Sequence, residues 1–234
     1  MEYANMKTLN IIAKQPKISL PTFTLRALMK QILIGVQTFH QFGFIHRDIK
    51  CDNILLNSPP GSGRVHIKIS DFGLLMKESQ IMEKKQAGTF LYMSPEQFHK
   101  QALTTQKVDI YALGITFYRL IAHNYPVNEP TFEEQGKKLA QLKCIDKPPE
   151  IEDNLLWNLL SKLLEFDPNK RITAAEALQH PYFTSPEAIA DISKEQQDLA
   201  SEAAVAEFEG DKNITEFDKD PSLIVSESTN YQKF

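Results

Sequence analysis

"FIHRDIKCDNILL", residues 44–56, places Asp48, Lys50 and Asn53 between apolar flanks. Ile45, Ile49, Ile54 and Leu55 are the side chains that would bury, pinning a loop at both ends and leaving the three polar groups to converge on one side. Downstream, "ISDFG" (residues 69–73) sets Asp71 after an apolar run, with Gly73 permitting a sharp turn. Two carboxylates and an amide oxygen are hard ligands suited to magnesium. A lysine beside them suits a phosphate in transfer, and an aspartate left off the metal can accept a hydroxyl proton. Each of these residues alone reads as a surface polar group, and Asp-Phe-Gly also occurs by chance. The joint pattern is what points to chemistry.

Working outward, the segment before this loop, "PTFTLRALMKQILIGVQTFHQFG", repeats Leu25, Leu28, Ile32, Val36 and Phe39 at helical spacing between Pro21 and Gly43. That predicts a long, largely buried helix. After the loop, "NILLN" and "VHIKIS" flank "SPPGSGR" and predict a hairpin with a long turn. Gly61-Ser62-Gly63 within that turn has no helix after it and reads as a plain turn rather than a phosphate loop. Residues 71–96 lack periodicity and read as a long loop. Helical patterns follow in "VDIYALGITFYRLIAH", "FEEQGKKLAQLK", "NLLWNLLSKLLEF" and "TAAEALQHPYF". Trp157 shares an apolar face with Leu156, Leu160 and Leu164, which points to core packing.

The chain has 234 residues, 42% of them hydrophobic, enough to bury a substantial core. Its two cysteines, Cys51 and Cys144, lie far apart without metal-ligand neighbours, which argues against a disulfide or zinc framework and for a reducing, cytoplasmic setting. No apolar run is long enough to span a bilayer. The net charge of −4 divides unevenly: residues 184–234 carry twelve acidic residues against four lysines, a net of −8, leaving +4 for residues 1–183. So mild a basic balance, without an aromatic-laced basic stripe, gives no case for nucleic-acid binding. The acidic tail is poor in large apolar groups and is expected to form one loose helix near 187–208 and then fray.

The pattern resembles the protein kinase family, in its serine/threonine branch, from residue 1 to about 183. His46-Arg47-Asp48-Ile49-Lys50 with Asn53 is similar to that family's catalytic loop, and Asp71-Phe72-Gly73 to its metal-binding turn. Ser94-Pro95-Glu96 stands where the family usually has Ala-Pro-Glu. Asp109 matches the helix aspartate that braces the loop, and Arg171 the arginine that pairs with Glu96. The resemblance implies an α+β fold, of which these residues make the mainly helical C-terminal lobe with a short β hairpin. It also implies transfer of the ATP γ-phosphate to serine or threonine hydroxyls of protein substrates, with ATP and magnesium as cofactors. Asp48 would take the substrate proton, Lys50 steady the moving phosphoryl group, and Thr89 bond Asp48 and Lys50. Asn53 and Asp71 would hold the metal, and Leu55 would floor the adenine. "MEYAN" resembles the hinge between lobes, with Met1 as gatekeeper and the backbone of Glu2 and Ala4 facing adenine.

The resemblance omits what the family places before that hinge. No G-x-G-x-x-G and no V-A-I-K-like lysine occurs in the sequence. The expectation is a kinase fragment lacking its small sheet lobe, weakly active or inactive as it stands, with an apolar upper face that calls for a covering partner. The alternative is a non-catalytic, pseudokinase-like binding or regulatory module. Arg47 in the family usually receives a phosphate from the activation loop. Here the corresponding position is Lys85, with Ser79 earlier and Glu83 already charged, so the loop is expected to order without phosphorylation.

Overall fold

The computed structural model describes residues 4–16, 20–78, 88–99 and 104–228. The chain begins with a short helix α1 (Asn10–Ala13) and a long helix α2 (Thr22–Gln41). Four short strands follow: β1 (Phe44–Ile45), β2 (Ile54–Asn57), β3 (His66–Ile69) and β4 (Met76–Lys77). The rest is helical: α3 (Lys107–Ala122), α4 (Phe132–Gln141), α5 (Asn154–Leu163), α6 (Ala174–Leu178), α7 (Pro181–Thr184), α8 (Pro186–Ala190), α9 (Lys194–Phe208) and α10 (Glu216–Lys219). This is the mainly helical lobe with a short β hairpin that the resemblance implies.

The two long central helices form for different reasons. α2 is amphipathic: Leu25, Leu28, Ile32 and Val36 bury one face, and the chain leaves the helix at Gly43, whose φ of 74° suits a residue without a side chain. α3 is buried on nearly every side, as expected for a helix apolar all round. Its polar interruptions are bonded: Thr116 Oγ1 donates to Ala112 O at 2.8 Å, and Arg119 donates to the Tyr92 hydroxyl and stacks 4.3 Å from the Tyr125 ring centroid. α3 packs on α5, and α2 packs on α6 and β3. Trp157 is half-buried against the same core.

Caps set the later helix boundaries. Asp153 accepts from the amides of Leu155 and Leu156 at 2.7 and 3.2 Å to start α5. Thr173 with Glu176, and Ser193 with Gln196, form reciprocal capping boxes at α6 and α9.

β2 and β3 pair antiparallel from Ile54↔Ile69 to Asn57↔His66. The N-terminal stretch lies along the other edge of β2: Met6 N donates to Leu56 O (3.3 Å), Leu56 N to Lys7 O (3.1 Å) and Leu9 N to Ile54 O (2.8 Å). β1 and β4 pair through Phe44↔Lys77 and Ile45↔Met76, so the stretch after Asp71, expected as plain loop, returns to the segment before the catalytic-looking loop. Among the described residues no helix is long and apolar enough to cross a membrane.

The tail departs from expectation. The segment near 187–208 is two helices, broken at Asp191–Ile192 and restarted by the Ser193 cap. Past Phe208 the described residues, which run to Ser228, stay folded. The chain forms α10 and a 3-10 turn at Pro221–Leu223, then buries Leu223, Ile224 and Val225. Average composition hid a local cluster of three apolar residues, and a cluster is enough to dock a segment. Leu28 is wholly buried in α2. Leu28→Ala should therefore lower stability by about 2–5 kcal/mol in urea denaturation, against little change for the exposed Phe208→Ala.

Candidate active site

The loop after β1 is held by one carboxylate. Asp109, in the first turn of α3, accepts from His46 N through Oδ2 and from Arg47 N through Oδ1, both at 2.8 Å. His40 of α2 sits 3.0 Å from the same Oδ2. Arg47 has a φ of 68°. That left-handed backbone costs a non-glycine residue free energy, and the paired bonds to Asp109 hold it there. The turn reverses the chain so that Asp48 faces inward.

The Asp48 carboxylate gathers the site. Oδ1 accepts from Thr89 N and Thr89 Oγ1, both at 3.1 Å. Oδ2 accepts from Lys50 Nζ at 2.7 Å and from Asn53 Nδ2 at 3.0 Å. Lys50 Nζ also donates to Thr89 Oγ1 at 2.9 Å, and Asn53 Nδ2 to Asp48 O at 2.9 Å. Burial by itself would raise the Asp48 carboxyl, but the Lys50 ammonium and the donors from Thr89 and Asn53 outweigh it and hold the group below the ordinary aspartate range. Gly88 makes the Thr89 approach possible: at φ 107°, a Cβ there would lie 2.5 Å from Arg47 O. Sequence reasoning missed Gly88 and His40. A glycine directly before Thr89 was the available signal for the first.

Asp71 lies across from this network on an exposed turn, with φ 64° and Oδ1 accepting from Gly73 N at 3.4 Å. The turn is tied to the loop. Ser70 donates to Asn53 O through its amide at 2.9 Å and its hydroxyl at 3.0 Å, and the buried His46 ring meets Ser70 O at 3.1 Å. Phe72 packs on Phe39 and His46 with centroids 5.5 Å apart in each case, yet remains 44% exposed. Leu55 is half-buried on β2, opposite Lys68, with Thr8 bridged on its other side. Ala4 opens the described stretch that reaches this edge; Met1 and Glu2 lie outside the described residues.

Among the described residues no group of three or more histidine, cysteine, aspartate or glutamate side chains could cage a metal. The donor set instead fits magnesium, which binds through one or two protein oxygens and keeps phosphate and water for the rest. Asn53 spends its amide nitrogen on Asp48, leaving its oxygen for a cation, and the Asp71 carboxylate stands exposed.

Two further features frame the site. Arg171, with a fully buried side chain, forms a two-pronged pair with Glu96 at 2.7 and 2.9 Å and donates to Lys107 O at 2.7 Å, joining the Ser94–Glu96 turn to the start of α3. Arg47 Nε donates to Leu74 O at 2.8 Å; Ser79, Glu83 and Lys85 lie outside the described residues. Cys51 is buried in the loop itself, its thiol 3.9 Å from Thr116 O and pushed up by burial to about 11.

Gly88→Ala should cost about 1–3 kcal/mol, read by urea denaturation, because the backbone must shift and the Thr89–Asp48 bonds with it. The Asp48 carboxyl titrates lower in the folded than in the unfolded chain. Its contribution is therefore complete above the ordinary aspartate range and disappears as pH falls through the lowered value. Wild-type stability should accordingly fall more steeply than that of Asp48→Asn as pH drops below about 4.

Comparison with known proteins points to one family. The protein kinase domain family model matches residues 1–183. The calcium/calmodulin-dependent protein kinase type II alpha chain of Drosophila melanogaster is 36% identical over 181 residues, covering 72% of this chain and 32% of that protein. The eukaryotic translation initiation factor 2-alpha kinase pek-1 of Caenorhabditis elegans is 32% identical over 198 residues, 78% of this chain and 18% of that protein. Serine/threonine-protein kinase SRK2F of Arabidopsis thaliana is 31% identical over 166 residues, 68% of this chain and 46% of that protein. The chain thus spans less than half the length of these curated relatives. With that family model matched over residues 1–183, most of its length, the chain belongs to the protein kinase family.

Proposed function

We propose that this lobe serves a serine/threonine kinase reaction, passing the γ-phosphoryl group of ATP to hydroxyls of intracellular protein substrates. The observation that carries the reading is the Asp48 carboxylate, ionised and oriented by Lys50, Thr89 and Asn53. Asp48 orients the acceptor hydroxyl and takes its proton as the oxygen attacks phosphorus. Lys50, already 2.7 Å from Asp48, carries positive charge to the moving phosphoryl group. Thr89 fixes the acceptor side of the pocket. Asn53 and Asp71 would hold magnesium, which when bound neutralises charge building on the phosphate oxygens. Leu55, with the backbone near Glu2 and Ala4, would receive the adenine.

These groups form one wall of a cleft. Phosphoryl transfer depends on positioning and on excluded water, and both require a glycine-rich cover over the phosphates. Such a cover also suits the exposed Phe72. Turnover by the 234 residues alone should accordingly be low. With a kinase small lobe joined ahead of Ala4, transfer from ATP to serine or threonine peptides should appear. In that protein Asp48→Asn should lower turnover about 10²-fold or more while nucleotide still binds, and Asp71→Ala should weaken magnesium-nucleotide binding. Near wild-type turnover in Asp48→Asn would overturn these roles; a joined protein that binds nucleotide without transferring phosphate would favour a binding module.

A further inference from the structure

We propose that residues 215–228 act as a positioning strap for the β2–β3 hairpin, with Gln31 as the joint that carries the strap's placement to the turn bearing Asp71. The strap lies beyond the residues matched by the kinase family, and its link to nucleotide binding rests on the function proposed above.

The strap grips the hairpin at its far end. Asp218 of α10 is buried, with Oδ1 lying 3.0 Å from Arg64 Nε and 3.1 Å from His66 Nε2. Thr215 N and Oγ1 donate to the other carboxylate oxygen at 2.9 and 2.7 Å, fixing its direction. Past Pro221 the chain runs beside the hairpin turn: Val65 N donates to Val225 O, and Glu227 N to Gly63 O, both at 2.8 Å. Ser226 and Ser228 each donate through Oγ to Glu195 of α9, at 2.6 and 2.7 Å.

Gln31 meets all three parts. From α2 its Nε2 donates to Leu223 O of the strap at 2.6 Å and to Val65 O of the hairpin at 3.2 Å, while its Oε1 accepts from Ile67 N of β3 at 2.8 Å. One amide thus satisfies backbone groups on both the strap and the hairpin. Losing the Leu223 carbonyl leaves one N–H of that amide without its partner and loosens the placement that Gln31 gives Val65 and Ile67. β3 then leads directly to Ser70, whose amide holds Asn53 O.

A partly open cleft of about 300 Å³ lies beside the strap where it meets α2 and β3, lined by Ile34, Val65, Ile67, Phe217 and Ile224. Held by three buried apolar side chains and a few hydrogen bonds, the strap opens at lower cost than the lobe beneath it.

Hydrogen exchange on the full chain tests this. Leu223→Asp combined with Val225→Asp should detach the strap and speed exchange at Val65, Ile67 and Ser70 by about tenfold or more, leaving α3 amides as they were. Adding a peptide of native sequence 213–228 should restore protection at all three. If Val65 exchanges faster while Ile67 and Ser70 keep their protection, the strap covers the hairpin tip without positioning its base, and the proposal fails. Should the double variant lose α3 protection as well, Gln31→Met with the native tail decides: faster exchange at Ser70 supports the joint, and an unchanged Ser70 overturns it. Calorimetric titration with Mg·ADP of the protein carrying a joined small lobe separates the two readings. No binding by that protein with its native tail would count against the proposed function and leave the exchange result standing. Equal binding by its native and detached forms would overturn the strap's reach into the nucleotide site.

Discussion

The Asp109 carboxylate accepts two backbone amides from the loop and meets a histidine from α2, all on a helix buried on nearly every side. A charge placed so deep is costly unless fully bonded, and here each oxygen has a partner. The arrangement fixes the left-handed turn at Arg47, and that turn fixes the direction of Asp48. Without it Lys50, Asn53 and Thr89 would have no common acceptor. α2 and α3 are therefore more than core: they are the two supports between which the loop is stretched.

A second buried charge plays a parallel part. Arg171 pairs with Glu96 in two-pronged geometry, donates to three backbone carbonyls and lies over the Tyr111 ring. A buried ion pair contributes little net stability compared with apolar packing, yet losing one partner is expensive. Its value lies in register: it sets the Ser94–Glu96 turn against the start of α3 at Lys107, two residues from the carboxylate that braces the loop. Two polar joints on neighbouring turns thus align the segments that carry Thr89 and Asp48.

Much of this was legible because chemistry restricts residue type and spacing together. Asp48, Lys50 and Asn53 are read from one short run, and α2 and α3 from apolar periodicity that survives any neighbour. What escaped notice depends on distant approach. Gly88 matters only because Arg47 O lies where its side chain would be, and His40 only because Asp109 faces it. β1 and β4 are two residues each, too short to show a period. The tail misled because charge and small residues dominate its average, while its docking depends on Leu223, Ile224 and Val225 and on a glutamine nearly two hundred residues away.

The loop's thiol has a consequence for how this lobe meets oxidants and electrophiles. Cys51 lies within three residues of Asp48, where a reactive sulfur would make the site vulnerable to peroxide and to alkylating inhibitors. Burial keeps it protonated far above neutral pH, and the thiolate is the form that reacts. Cys144, exposed on the connection after α4, is the accessible one. The loop that bears Asp48 therefore carries a sulfur that packs as a small hydrophobe, and thiol chemistry on the folded lobe is directed to a surface remote in sequence from Asp48.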